Sequence, residues 1–298
     1  MTFRTLDDIV AAARTKKPPT LAVVAAQEEN TLAAVVRARK LGFADARLYG
    51  CEGEIREILS RLGAEDFYIA GAQSGRGALA AAVADVKSGR ANALMKGAID
   101  TQSFLGAVVA RENGLRGAGR LSVCAFFNPA AYHKLIAVTD FGMNESPDAA
   151  AKTEIIANAV SLLRFSGIEL PKVAVLADTE RVNPRVRASL DAAELKKLWE
   201  NGVIRDCILE GPVSFDLATD KTAADIKGWS SPVAGDADLL VVPDIVAGNA
   251  LVKALTQWGG CGTAGTVLGA KIPVVMTSRS APADDKLYSI ALAAANQA

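Results

Sequence analysis

Residues 20–42 read TLAVVAAQEENTLAAVVRARKLG, and the way this stretch folds decides the architecture. Its opening run, 20–26, is short, apolar and rich in valine, which suits a buried strand. From Asn30 the apolar positions instead recur at helical spacing and stop at Gly42, a residue suited to ending a helix. A strand that feeds into a helix is the repeating element of an α/β protein with a mostly parallel sheet.

The alternation continues outward from there. ARLYG (46–50), DFYIAG (66–71), ANALMKG (91–97) and LSVCAFF (121–127) repeat the strand pattern, with helices such as GRGALAAAVADVKSG (75–89) between them. This predicts a first doubly wound unit up to roughly residue 137. A second series opens with KLIAVTD (134–140) and a helix from Ser146, where Ser146 can cap, Pro147 fits the first helical position and Asp148 complements the helix N-terminus. Asn183-Pro184 offers a similar start to the helix within 185–202. KVAVLA (172–177), DCILEG (206–211), DLLVVPD (238–244) and TAGTVLGA (263–270) are further strands, and no Pro/Ser-rich linker separates the units.

A chain of 298 residues is long enough for two packed domains. Its 33 Lys plus Arg balance 33 Asp plus Glu, so no overall field draws nucleic acid or anionic lipid. The N-terminus lacks the features of a secretory signal, and no apolar run reaches the roughly 18 residues of a membrane span, so a cytoplasmic protein is expected. Cys51, Cys124, Cys207 and Cys261 are far apart and form no CxxC, which predicts free thiols and no metal site. His133 is the single histidine and lies just before a strand as a loop residue, which disfavours every design that needs a Ser-His or two-His set.

Gly260-x-Gly262-x-x-Gly265 matches the dinucleotide fingerprint formally, but a helix precedes it and a strand follows, the reverse of what a pyrophosphate site needs. It reads as a glycine-rich helix stop. Lys96-Gly97 follows an apolar strand, and Asp100 or Thr101 can begin the next helix; a phosphate-binding cation and a solvated loop lysine both fit that spacing. Thr139-Asp140, Asn144, Gly211-Pro212, Asp216, Pro243-Asp244 and Asn249 lie at or after other strand ends. The last strand, IPVVMT (272–277), runs into Ser278 and Arg279, with Ser280 and Pro282 placed to start a final helix over 282–297. A guanidinium fork there can hold phosphate oxygens by two hydrogen bonds. Asp284 and Asp285 follow, one suited to complementing the helix N-terminus and the other to acting as a general base.

At these residues the chain resembles the phosphate acetyltransferase and phosphate butyryltransferase family. The blocks ANALMKGAIDTQSFLGAVV (91–109), RENGLRGAGRLS (111–122), VTDFGMNESPD (138–148), RVNPRVRASLDAAEL (181–195), GPVSFD (211–216), VAGDADLLVVPDIVAGN (233–249), AGTVLGAKIPVVMTSRS (264–280) and DDKLYSIALA (284–293) fall in the family's order and approximate spacing. The chain length and the LMKG and KLYSIALA wording look closer to the butyryl-type branch. The resemblance implies reversible transfer of an acyl group between coenzyme A and inorganic phosphate, with no metal or tightly bound cofactor.

It also implies the two-domain α/β fold of isocitrate and isopropylmalate dehydrogenases: domains of 1–137 with 272–298 and of 138–271, an interdomain cleft as the active site, and a homodimer or larger homo-oligomer. Ser278 and Arg279 match the family's phosphate-binding Ser-Arg pair. Asp285 matches its catalytic aspartate, with Asp284 as the alternative. Lys96, Arg116, Thr139, Asp140, Asn144 and Asn249 lie in matching blocks as substrate-binding candidates. FDLATDK lacks the usual Asn-Ala after Phe-Asp, and Cys261 and Gly262 replace an Ala and a larger residue, so the acyl preference stays open. Two other readings share the fold: a non-catalytic coenzyme A or phosphate sensor, and a dehydrogenase.

Overall fold

The computed structural model describes residues 2–296. In chain order they form α1 (Leu6–Ala13), β1 (Thr20–Val24), α2 (Glu29–Lys40), β2 (Asp45–Gly50), α3 (Glu52–Arg61), β3 (Tyr68–Gly71), α4 (Gly75–Lys87), β4 (Ala93–Lys96) and α5 (Thr101–Val109). Next come β5 (Ser122–Phe127), β6 (Ile136–Thr139), α6 (Ala149–Phe165), β7 (Lys172–Leu176), α7 (Arg187–Glu200), β8 (Ile208–Val213), α8 (Phe215–Thr219), α9 (Lys221–Ile226), β9 (Leu239–Val241) and α10 (Ile245–Gln257). The chain closes with β10 (Thr263–Leu268), β11 (Val274–Val275) and α11 (Ala283–Ala295). The expected end of that last helix at Gln297 lies outside the described residues.

Two compact units result. One comprises residues 6–121 and the chain from 263 onward; the other comprises 122–262 with the few N-terminal residues. In the first, the strands lie in the order β3-β2-β1-β4-β11-β10, all neighbours parallel except β10 and β11. In the second the order is β5-β6-β9-β7-β8, with β5 and β6 antiparallel and the rest parallel. The boundary therefore falls ahead of the expected residue 137. β5 pairs with β6 from Cys124 opposite Thr139 to Phe127 opposite Ile136, and this hairpin keeps both strands in the second unit.

Burial explains why the apolar runs became strands. Leu21 to Val24 are fully buried, as are Ala93 to Met95, the pattern of parallel strands covered on both faces. α11 packs on α1, α2 and β10, and every residue from Asp285 to Ala295 is buried except the half-buried Tyr288. Such a helix belongs to the core, which makes the charges at its start conspicuous.

Helix starts depart from the expected caps. Asp148 is the N-cap of α6, accepting from the Ala151 N–H at 2.8 Å, so Ser146 and Pro147 lie ahead of the helix. α7 begins after Val186, while the Asn183 side chain accepts from the Arg185 N–H and closes a turn upstream. Pro282 precedes α11, and the Ser280 hydroxyl pairs with that of Ser278 at 3.1 Å instead of capping. In the glycine-rich segment the order is helix, Gly260 at φ +61°, then β10, as its reading as a helix stop requires. None of the four cysteines is joined in a disulfide, and Cys51 is the one not buried. Among the described residues no helix is long and apolar enough to cross a membrane.

Candidate active site

Strand register sets the first unit's site. Val24 of β1 lies opposite Lys96 of β4, and Val275 of β11 lies opposite Met95, so three parallel strands end side by side. β10 runs the other way, with Val267 opposite Val274, which brings its first residue, Thr263, to the same edge. At ~4.8 Å between neighbours the four strand ends make a row about 14 Å long. Ligands of open α/β sheets collect at such an edge. Along it stand Glu28 after β1, Lys96 at the end of β4, Ser278 and Arg279 after β11, and Asp285, whose carboxylate accepts from the Thr263 N–H at 3.1 Å.

Lys96 is 3% exposed, and its ammonium makes a long 3.4 Å donation to the carbonyl of adjacent Gly97. Burial, and then the like charges of Lys286 and Arg279, push its pKa down to about 8, against the opposing pull of Asp100 and Glu28. The side chain is thus a buried cation short of an anion. The Thr277 hydroxyl, at the end of β11, is also buried with no partner among the described residues. Gly97 makes the arrangement feasible: its N–H donates to the Val24 carbonyl at 2.8 Å, and a Cβ there would stand 2.4 Å from the Ala25 oxygen. Only glycine lets the end of β4 pack so closely against the loop after β1.

Two members of this edge were absent from the sequence-based candidates. Lys286, 1% exposed, donates to the Glu28 carboxylate at 3.2 Å and to the Ser278 carbonyl at 3.3 Å. Glu28 also caps α2, accepting from the Asn30 and Thr31 N–H groups, each at 2.9 Å, and from the Thr31 hydroxyl. Partial burial opposes the Glu28 charge, but the Thr31 hydroxyl and Lys286 outweigh it and hold its carboxyl below the ordinary value. A signal was available: in DDKLYSIALA a lysine shares its helix face with Ile290 and Ala293.

The two aspartates are separated by helix geometry. Successive residues point about 100° apart, so 284, 285 and 286 fan out from the start of α11. The Asp284 side chain is 64% exposed and pairs with Arg37 on α2. Asp285 is 6% exposed. Burial raises its pKa to about 6; the Thr263 N–H and Lys286 work against that rise, and Asp284 adds to it. Of the pair, only Asp285 is a buried carboxyl that changes charge near neutrality.

In the second unit, Thr139 is fully buried and donates its hydroxyl to the Val123 carbonyl at 2.8 Å, a tie within the hairpin. Asp140, 3% exposed, gathers the following loop by accepting from the N–H groups of Gly142, Met143 and Asn144 and from the Asn144 side chain. Burial raises the Asp140 pKa against those hydrogen bonds. Asn249 is exposed on α10. In the first unit, exposed Arg116 bridges Ala270 in the turn ahead of β11, at the opposite end of that strand from Ser278. The structure thus groups Lys96, Ser278, Arg279 and Asp285 at one edge, and Thr139, Asp140 and Asn144 around one loop.

Buried and exposed cations beside a carboxyl that titrates near neutrality have the chemistry to hold an oxyanion and to accept a proton. The profile of the family described as "Phosphate acetyl/butaryl transferase" matches residues 72–294. The chain is 38% identical over 265 residues to the phosphate butyryltransferase of Clostridium acetobutylicum, covering 88% of each chain. It is also 38% identical over 290 residues to the phosphate acetyltransferase of Rhizobium meliloti, covering 97% of this chain and 92% of that one. The crystal structure of a branched-chain phosphotransacylase from Enterococcus faecalis V583 aligns with a TM-score of 0.80 at 29% identity, covering 94% of this chain and 100% of that one. The chain belongs to the phosphate acetyl/butyryl transferase family.

Proposed function

We propose that the protein moves a short-chain acyl group, butyryl or acetyl, reversibly between coenzyme A and inorganic phosphate. The observation that carries this reading is the buried, under-partnered Lys96 ammonium beside Arg279 and Lys286, at the sheet edge that Asp285 flanks. Phosphate or the phosphoryl end of an acyl phosphate occupies the centre of the row, held by Arg279 and Lys96. The Asp285 carboxylate takes the proton of the coenzyme A thiol. The thiolate attacks the acyl carbon, the bond from that carbon to the phosphate oxygen breaks, and phosphate leaves toward the cations, with Ser278 donating to the oxygen that gains charge.

In the reverse direction Asp285 returns the proton to the departing thiolate. A pKa of about 6 keeps Asp285 ionised at neutral pH, yet about two pH units nearer a thiol's ~8.5 than an ordinary carboxyl. Positioned proton removal accounts for ~10²–10⁴-fold, and holding both substrates in line supplies much of the remainder. No step needs a covalent enzyme intermediate, which leaves the four cysteines outside the chemistry.

Thr139, Asp140, Asn144 and Asn249 are assigned to substrate binding on their family blocks; Arg116 shares such a block but, at the far end of β11 from Ser278, is not assigned to the phosphoryl subsite. Family membership also supports the isocitrate and isopropylmalate dehydrogenase type of two-domain fold, coenzyme A as substrate in place of any resident cofactor, a homo-oligomer and a cytoplasmic location. The test is release of free thiol from acetyl-, propionyl-, butyryl- and branched acyl-CoA, with phosphate or arsenate as acceptor. Release that requires the acceptor is expected, and the best thioester defines the branch. Folded protein that releases no thiol from any of them would overturn the proposal.

A further inference from the structure

Resting on that reading, we propose that Lys286 is a positioning residue of the phosphoryl subsite: it fixes the turn that presents Ser278 and Arg279, and it adds a positive charge for the bound phosphate to neutralise. A lysine 1% exposed in a core helix is an expensive residue unless its charge is used. It shares its face of α11 with the buried Ile290 and Ala293, beside the buried Asp285 and Ser289, so a methionine there would fill the same space with no ion to desolvate.

What the ammonium touches is specific. The Ser278 carbonyl accepts both from Lys286 and from the Ala281 N–H at 3.1 Å, which closes the turn over Arg279. The Asn30 side chain donates to the Ala281 carbonyl at 3.4 Å. Both ends of the turn are therefore tied to the start of α2, one through Lys286 and Glu28, the other through Asn30. Glu28 divides its charge among two backbone N–H groups, the Thr31 hydroxyl and Lys286, so it offsets the local cations only in part. The groups that act on the Lys96 ammonium are Lys286 and Arg279 of like sign and Asp100 and Glu28 of opposite sign; Asp285, at the same edge, acts on Lys286, so three cations face three carboxylates, of which Asp100 is exposed and caps α5, Glu28 caps α2 and Asp285 accepts from the Thr263 N–H. All three carboxylates are held by backbone N–H groups, which leaves the Lys96 ammonium and the Arg279 guanidinium as the groups a phosphate dianion would meet.

The experiment uses Lys286→Met, Lys286→Arg and the double variant Glu28→Gln/Lys286→Met, each in the full chain, with initial rates of thiol release over a pH series. For Lys286→Met the KM for phosphate should rise tenfold or more while the KM for acyl-CoA stays within about twofold. The alkaline limb of kcat/KM for phosphate should move to higher pH, because Asp285, which must carry its proton in this direction, and Lys96 both lose the positive neighbour that works to lower their pKa values. Lys286→Arg should recover most of both effects. The double variant leaves no buried unpaired carboxylate, so it guards against a folding failure and should keep the raised phosphate KM with a wild-type unfolding midpoint. An unchanged phosphate KM in a folded variant, an unmoved alkaline limb, or equal changes in both KM values would overturn the assignment. Failure of the underlying acyltransferase reading looks different, since the wild-type protein itself would then release no thiol with phosphate.

Discussion

Replacing Asp285 by asparagine should make the protein far less active and, at alkaline pH, more stable. Asparagine keeps the shape and the acceptor for the Thr263 N–H, but it cannot take a proton. Loss of a positioned base should lower kcat by ~10²–10⁴-fold. The stability effect follows from the shift of the carboxyl from 3.8 to about 6 in the folded chain. At ~1.4 kcal/mol per pH unit, holding that buried carboxylate ionised costs the fold about 3 kcal/mol. Below pH 3.8 the group is protonated in both folded and unfolded states and there is no cost; the cost builds between 3.8 and about 6 and is complete above that. Asp285→Asn removes it.

Urea and thermal unfolding at pH 4 and pH 8, run beside kcat, make the comparison. The variant should match the wild type at pH 4 and exceed it by several degrees at pH 8. A variant that keeps more than about a tenth of kcat, or that gains no stability between the two pH values, refutes the reasoning. Asp284→Asn is the control: its carboxylate is largely exposed and its pair with Arg37 is worth under about 1 kcal/mol, so neither kcat nor the pH dependence of stability should move much.

The pH profile of kcat/KM in the thiol-attack direction should be a bell, rising near 6 as Asp285 ionises and falling near 8 as Lys96 loses its proton; a flat profile from pH 5 to 9 would contradict both roles. Arg279→Ala alters an exposed turn residue, so its unfolding midpoint should be close to wild type while phosphate-dependent thiol release drops ~10²-fold or more. Near-normal turnover would remove Arg279 from the phosphoryl subsite. Gly97→Ala forces a Cβ to within 2.4 Å of the Ala25 carbonyl and should cost roughly 1–3 kcal/mol in urea unfolding, with activity falling because Lys96 is the preceding residue. An unshifted urea midpoint would show that the two loops separate freely.

The elements were legible from residue pattern because parallel strands buried on both faces must be continuously apolar, as Leu21–Val24 and Ala93–Met95 are. Lys96, Ser278 and Arg279 were legible as strand-end residues for the same reason: the strands are so apolar that the first polar side chain after each one marks the edge. Helix caps were read less well. Ser146, Asp148 and Ser280 are all sound capping residues, and only backbone geometry shows that Asp148 alone reaches an unpaired N–H.

Taken alone, the sequence determined the α/β class, the two series of strands, the family blocks and the hydroxyl and guanidinium that follow the last strand. Tertiary structure decided which charges meet. Strand order sets Glu28, Lys96, Arg279 and Asp285 along one edge, and the reversed run of β10 brings Thr263 there to hold Asp285. It also decided protonation. Asp284 and Asp285 are adjacent carboxyls of one chemical type, but a 100° step around a buried helix leaves one in water beside Arg37 and the other in the core, where desolvation lifts its pKa to about 6. Local sequence specifies the ionisable group; the dielectric and the charges around it exist only once distant strands have packed.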